Sequence, residues 1–138
     1  MELYFAPLSC SLATRITLYE LNLPATFHQV TLSNKQLADG SSYLAINPKG
    51  QVPALRTQEG LLLTEGSAIL QYVADRAPES GLAPAAGTFA RYQLQQWLSY
   101  ISTELHKAVF YMLFNPAVPR EMKEFSRETL IPARYNFL

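Results

Sequence analysis

The chain has 138 residues, 49% of them hydrophobic and 16% charged, which is enough apolar material for a core and excludes a disordered segment. Lys+Arg and Asp+Glu balance at 11 each, so charge gives no reason to expect nucleic acid or an acidic membrane as partner. The longest apolar stretches, such as Gly60-Leu61-Leu62-Leu63, are too short to span a bilayer, and Met1-Glu2-Leu3-Tyr4 lacks the features of a signal peptide. A single cysteine excludes an intramolecular disulfide and argues against a cysteine-based metal cluster. Together these predict a soluble protein of the reducing cytoplasm.

Glu2 to Ala6 reads as a short strand stopped by Pro7. Leu12, Ile16, Tyr19 and Leu23 recur at helical spacing, so a helix is predicted from Cys10 to about Leu21, ended by Pro24. Thr26 to Leu32 alternates and suits a second strand. Strand, helix and strand in this order form a βαβ unit, which predicts a parallel pair. Asn47-Pro48-Lys49-Gly50 is a strong turn signal, preceded by a short irregular helix around Gly40 to Ile46. Val52 to Leu55 leads into a strand, Glu59-Gly60 turns, and Leu61 to Leu63 returns. Glu65 to Arg76 is a helix with Ile69, Tyr72, Val73 and Arg76 on one side. Residues 1–80 thus form one small α/β domain. Residues 81–87 have linker composition. A long helix from about Thr88 to Phe114 follows, with Leu94, Leu98, Ile101, Leu105 and Ala108 in phase. Arg120 to Leu138 is helical, with Pro132 as a kink. Two such helices leave apolar faces open, so the chain reads as cut short or as dependent on a partner.

Several residues have a chemical reading and a plainer one. Cys10 opens a helix, where backbone N–H groups favour an anion, and such thiols reach pKa values of ~3.5–7.5 against ~8.5 when free. Ala13 stands where a resolving cysteine would be, so dithiol exchange is excluded; the plainer reading is a cysteine packed as a small hydrophobe. A cis Val52-Pro53 bond would turn the Val52 N–H and C=O outward as a free edge for a peptide. The plainer reading is a trans proline at a strand start. Glu65, Gly66 and Ser67 open a helix and offer an acceptor for an ammonium group and donors for a carboxylate, or simply cap the helix. Gln95, Ser99, Thr103 and His106 form a polar stripe that lines a cleft or faces water.

In combination, Ser9-Cys10-Ser11-Leu12-Ala13, the run from Asn47 to Leu55, the run from Leu63 to Asp75, and Thr103-Glu104-Leu105-His106-Lys107 resemble the glutathione transferases. Cys10 and the His106-Lys107 pair point to the bacterial beta class. The resemblance implies a thioredoxin-like α/β domain at residues 1–80, a linker at 81–87 and part of an all-α C-terminal domain at 88–138. It implies that Cys10 and His106 lie by the glutathione sulfur and that Cys10 can form a mixed disulfide with it. Val52, with Pro53 in cis, pairs with the cysteinyl backbone. Glu65 and Gly66, helped by Ser67, hold the γ-glutamyl end, and Lys35 reaches the glycyl carboxylate. Ser99, Thr103 and Glu104 line the site, in part from the neighbouring subunit of a homodimer. Relatives carry Asn at position 99, so Ser99 makes a shorter contact. Family members run to roughly two hundred residues, and the later helices are absent here. The implied activity is detoxifying conjugation of the glutathione thiol to an electrophile, without metal, with thiol–disulfide exchange through Cys10 as a second role. The alternative is a glutathione-binding or dimerisation module without turnover. A glutaredoxin-like oxidoreductase is disfavoured by the long helix after residue 88.

Overall fold

Strand β1 (Glu2–Phe5) lies at the centre of a five-stranded sheet of order β3-β2-β1-β4-β5 in a computed structural model that describes residues 1–138. It pairs in parallel with β2 (Thr26–Thr31), Leu3 facing Phe27 and Tyr4 facing His28. Helix α1 (Ser11–Glu20) supplies the crossover that the βαβ order predicts. On its other side β1 pairs antiparallel with β4 (Ala54–Arg56), which forms a hairpin with β5 (Leu62–Thr64). Helix α2 (Gly66–Ala74) follows at once. The two-residue strand β3 (Gln36–Leu37) pairs with β2 and is not predicted from the sequence. Its polar run carries no alternation, and the pairing comes from the register with Val30 and Thr31. The irregular helix expected at Gly40 to Ile46 reduces to one 3-10 turn at Tyr43–Ala45.

Alternation along β1 divides the core. Leu3 and Phe5 point to one face and pack with Leu18, Leu55, Ile69 and Val73, so α1 and α2 cover that side. Each of these side chains contributes about 1.5–3 kcal/mol through burial. Tyr4 and Ala6 point the other way and pack with Val30, Tyr43, Val52 and Ala54. That second cluster sets the position of the loop before β4. Of the four residues predicted on one side of α2, Ile69 and Val73 are fully buried, whereas Arg76 is exposed, stacked on Tyr72 and paired with Glu59.

The chain divides into two compact units, Met1–Ala86 and Gly87–Leu138. The segment between α2 and the second unit contains a 3-10 turn, Pro78–Ser80. The second unit begins with α3 (Phe89–Tyr100), whose first turn is capped by Thr88. The helix continues without a break through a π-helical stretch, Ile101–Phe110, into α4 (Tyr111–Phe114). This corrects the regular helix expected there. The Ser102 and Thr103 hydroxyls donate back to the Leu98 and Ser99 carbonyls, which draws those acceptors from the backbone ladder where the turn widens. Burial along this stretch follows the expected line only in part. Leu105 is buried as expected, Ala108 is half-buried, Ile101 is exposed, and Val109, not expected inward, is fully buried. Helix α5 (Arg120–Phe125), a second π-helical stretch (Ser126–Leu130) and α6 (Ile131–Tyr135) complete the unit. Pro132 has no N–H to donate, and the ladder widens just before it. No helix is long and apolar enough to cross a membrane.

Candidate functional site

The site grows from the turn at Asn47. This side chain is buried, donates from Nδ2 to the Gln51 carbonyl at 2.8 Å, and accepts the Lys49 N–H on Oδ1 at 3.2 Å. The Tyr43 hydroxyl donates to the same Gln51 carbonyl at 2.8 Å, and Lys35 Nζ donates to the Gly50 carbonyl at 2.9 Å. Gly50 lies at φ +60°, and a Cβ there would press on the Leu44 and Lys35 side chains at 3.0 and 3.2 Å, so the turn favours glycine. These contacts fix the chain as it enters Val52.

The Val52–Pro53 peptide is cis. Strand β4 begins only at Ala54, so Val52 lies outside the ladder and its N–H has no acceptor in the chain. Its carbonyl accepts the Cys10 thiol at 3.2 Å. Cys10 occupies the N-cap of α1 in helical conformation, so the helix proper begins at Ser11, one residue after the start expected from the sequence. Behind it Ser11 is fully buried, accepts the Ala6 N–H at 3.1 Å and stands 2.7 Å from the Ser9 hydroxyl. That network pins the loop from which Cys10 projects.

The thiol departs from the expectation of a lowered pKa. Burial of the sulfur pushes it above the ordinary thiol value, the backbone N–H groups of Cys10 and Ser11 pull less strongly the other way, and the Glu65 carboxylate adds a smaller rise. Cys10 is exposed as a residue, but its sulfur is turned under the Val52 carbonyl, and the sulfur is what titrates. The helix start is present; desolvation and a neighbouring carboxylate outweigh it.

Glu65 sits at φ 71°, ψ 118°, a left-handed conformation that costs a non-glycine residue about 1–3 kcal/mol. It makes no side-chain cap on α2. Its Oε1 instead accepts from Lys49 Nζ at 2.7 Å, and the same ammonium donates to Thr64 Oγ1 at 3.1 Å. The Ala68 and Ile69 N–H groups both return to the Glu65 carbonyl, so those of Gly66 and Ser67 have no acceptor within the helix. A Cβ on Gly66 would lie 3.8 Å from Pro53 Cγ, so the helix start stands against the proline that follows Val52. The structure therefore gathers Cys10, Val52, Pro53, Glu65, Gly66 and Ser67 around one edge, with Lys35 at the turn leading to it. Lys49 was not among the predicted site residues. Its signal in the sequence was only its place in a turn, and its partners come from the β5–α2 junction.

Ser99, Thr103, Glu104 and His106 belong to the second unit. Ser99, Thr103 and His106 are exposed along its long helix, and Glu104 pairs with Arg134 at 3.4 Å. No group of His, Cys, Asp and Glu is arranged to hold a metal ion.

The family model of the glutathione S-transferase N-terminal domain matches residues 9–76. A sphingomonad glutathione S-transferase solved in complex with glutathione superposes with a TM-score of 0.93 at 41% identity, covering 99% of this chain and 68% of that one. The chain belongs to the glutathione S-transferase family. A bacterial beta-class glutathione S-transferase of Sphingomonas chungbukensis gives a TM-score of 0.93 at 38% identity, over 99% of this chain and 67% of that one. Glutathione S-transferase GstA of Escherichia coli O157:H7 is 48% identical over 130 residues, which is 94% of this chain. The chain spans 64% of the length of that relative. The α/β sheet and the helices after it are those of a thioredoxin-like transferase domain followed by a helical region.

Proposed function

We propose that the Cys10–Val52–Glu65 edge binds glutathione and that the protein conjugates the glutathione thiol to a soft electrophile such as an aryl halide or an activated alkene. The observation that carries this reading is the free Val52 N–H beside its own carbonyl, next to the Cys10 thiol and the Pro53–Gly66 contact. A peptide laid antiparallel on Val52 places its cysteine beside Cys10. Its α-carboxylate meets the free Gly66 and Ser67 N–H groups, with the helix dipole in support. Its α-ammonium meets Glu65. Lys35 serves the glycyl carboxylate. On the resemblance alone, His106 is assigned to the thiol and Ser99, Thr103 and Glu104 to further contacts, partly across a homodimer. Residues 1–80 are the glutathione-binding domain, 81–87 the linker and 88–138 part of the helical domain.

In the conjugation the glutathione thiol gives its proton to solvent and the thiolate forms a C–S bond. With an aryl halide, halide leaves with the bonding pair. The site contributes orientation and a thiolate held beside the acceptor. In the second role the Cys10 thiolate attacks a glutathione mixed disulfide and expels the other thiol. A second glutathione then attacks the Cys10–glutathione disulfide and leaves as glutathione disulfide. The raised Cys10 pKa makes this exchange faster at alkaline pH. A reducing cytoplasm suits a lone thiol that uses a thiol co-substrate.

The test is retention on glutathione resin, paired with glutathione-dependent conjugation of an activated aryl chloride. Retention with turnover is expected. Retention without turnover overturns the enzyme, and failure to bind overturns the site. His106→Ala, assayed for conjugation, checks the assignment made by resemblance.

A further inference from the structure

We propose that Lys49 is a positioning residue that clamps the Val52 loop to the start of α2, and thereby fixes the two parts of the site that read the ligand's cysteinyl backbone and its α-amino end. This rests on the glutathione reading above. Lys49 is tied at both ends. Its N–H donates to Asn47 Oδ1, the buried side chain that also holds the Gln51 carbonyl one residue before Val52. Its ammonium crosses to the β5–α2 junction and donates to Thr64 Oγ1 and Glu65 Oε1, at 3.1 and 2.7 Å. A lysine suits this task because a compact ammonium with three donors can serve two acceptors from one point.

Glu65 needs such a partner. It leaves the strand in a left-handed conformation and has no capping bond to its own helix. Its side chain is 63% exposed, so packing does not choose its rotamer. Lys49 engages Oε1 and leaves Oε2 for a ligand's ammonium. The pair is half in water, so its own contribution to stability is small. What it supplies is direction: a carboxylate already aimed when the ligand arrives.

The full chain, Lys49→Met and Lys49→Arg are compared in two measurements. The first is the Kd for glutathione and for cysteinylglycine, which keeps the thiol and the glycyl end but lacks the γ-glutamyl group. Lys49→Met is expected to weaken glutathione about fivefold, as befits an exposed charge pair, and cysteinylglycine by a smaller factor of about two, since that ligand uses only the Val52 side of the clamp, with Lys49→Arg largely restoring both. Equal loss for both ligands, or no loss, overturns the clamp. The second is amide exchange without ligand. Faster exchange in residues 47–53 and 64–67 of Lys49→Met is expected, and unchanged exchange overturns the clamp whatever the ligand data show. If the unsubstituted chain binds no glutathione, the glutathione reading fails, and the exchange measurement still decides on Lys49.

Discussion

The residues read as site candidates in the two units make their polar contacts over different distances in sequence. In Met1–Ala86, the Cys10 thiol meets a carbonyl 42 residues away and Lys49 meets a carboxylate 16 residues away. In Gly87–Leu138, the Thr103 hydroxyl on the expected site stripe bonds four residues back in its own helix. The long-range ties there, Tyr100 to the Arg134 carbonyl, Glu104 to Arg134 and Ser126 to the Val109 carbonyl, join helix to helix and leave Ser99, Thr103 and His106 exposed. A contact that only the assembled fold can make marks a site more sharply than one a single helix makes by itself. Apolar burial is uneven as well, and Val109 is fully enclosed in the second unit as others are in the first. Leu3, Leu55, Ile69 and Val73 are fully enclosed, whereas Phe89 and Phe114 are each 78% exposed.

The largest expected effect tests that contrast in burial. Ile69→Ala removes a fully buried side chain between the sheet and α2 and should cost about 2–5 kcal/mol in denaturant unfolding of the full chain. Phe114→Ala should change stability by less than about 0.5 kcal/mol. A comparable cost for Phe114 would show that its face is covered in solution and would erase the contrast.

Asn47→Ala comes next and addresses polar reach. It orphans the Lys49 N–H and removes one of two side-chain donors on the Gln51 carbonyl, for about 1–3 kcal/mol. Because Val52 follows directly, glutathione retention should fall with it. Ser99→Ala removes an exposed hydroxyl and should leave the unfolding midpoint unchanged. Were Asn47→Ala as mild as Ser99→Ala, the turn would be held by Tyr43 and Lys35 alone.

What the sequence revealed follows from the same distinction. Order and parallel pairing of β1, α1 and β2 were legible because their apolar periods are local. The Val52-Pro53 edge and the Glu65-Gly66 start were legible as pieces, and the family resemblance joined them. Strand β3 was not legible, since a polar two-residue strand is defined by its neighbour. The π-helical stretch was missed because a 3.6-residue period was assumed where Ser102 and Thr103 divert the ladder. Lys49 was missed because its partners lie in another segment. The thiol was misjudged because position at a helix start was visible in sequence, while burial of its sulfur and the approach of Glu65 were not.

The smallest expected effect isolates that last point. Both burial and the Glu65 carboxylate disfavour the Cys10 thiolate. Glu65→Gln removes the charge and keeps the shape, so the pH midpoint of Cys10 alkylation should move down. It should remain above that of an unhindered thiol, since burial of the sulfur persists. Added salt should narrow the gap between the two proteins, because Glu65 is largely in water. The sign for stability follows by linkage. A thiol whose folded pKa is raised contributes stability present below its unfolded value and lost as pH rises through the folded one. Cys10→Ala should therefore flatten the alkaline fall in stability, and Glu65→Gln should flatten it in part. A midpoint that stays in place or moves up in Glu65→Gln would mean that the carboxylate does not act on the sulfur, and that burial alone sets its titration.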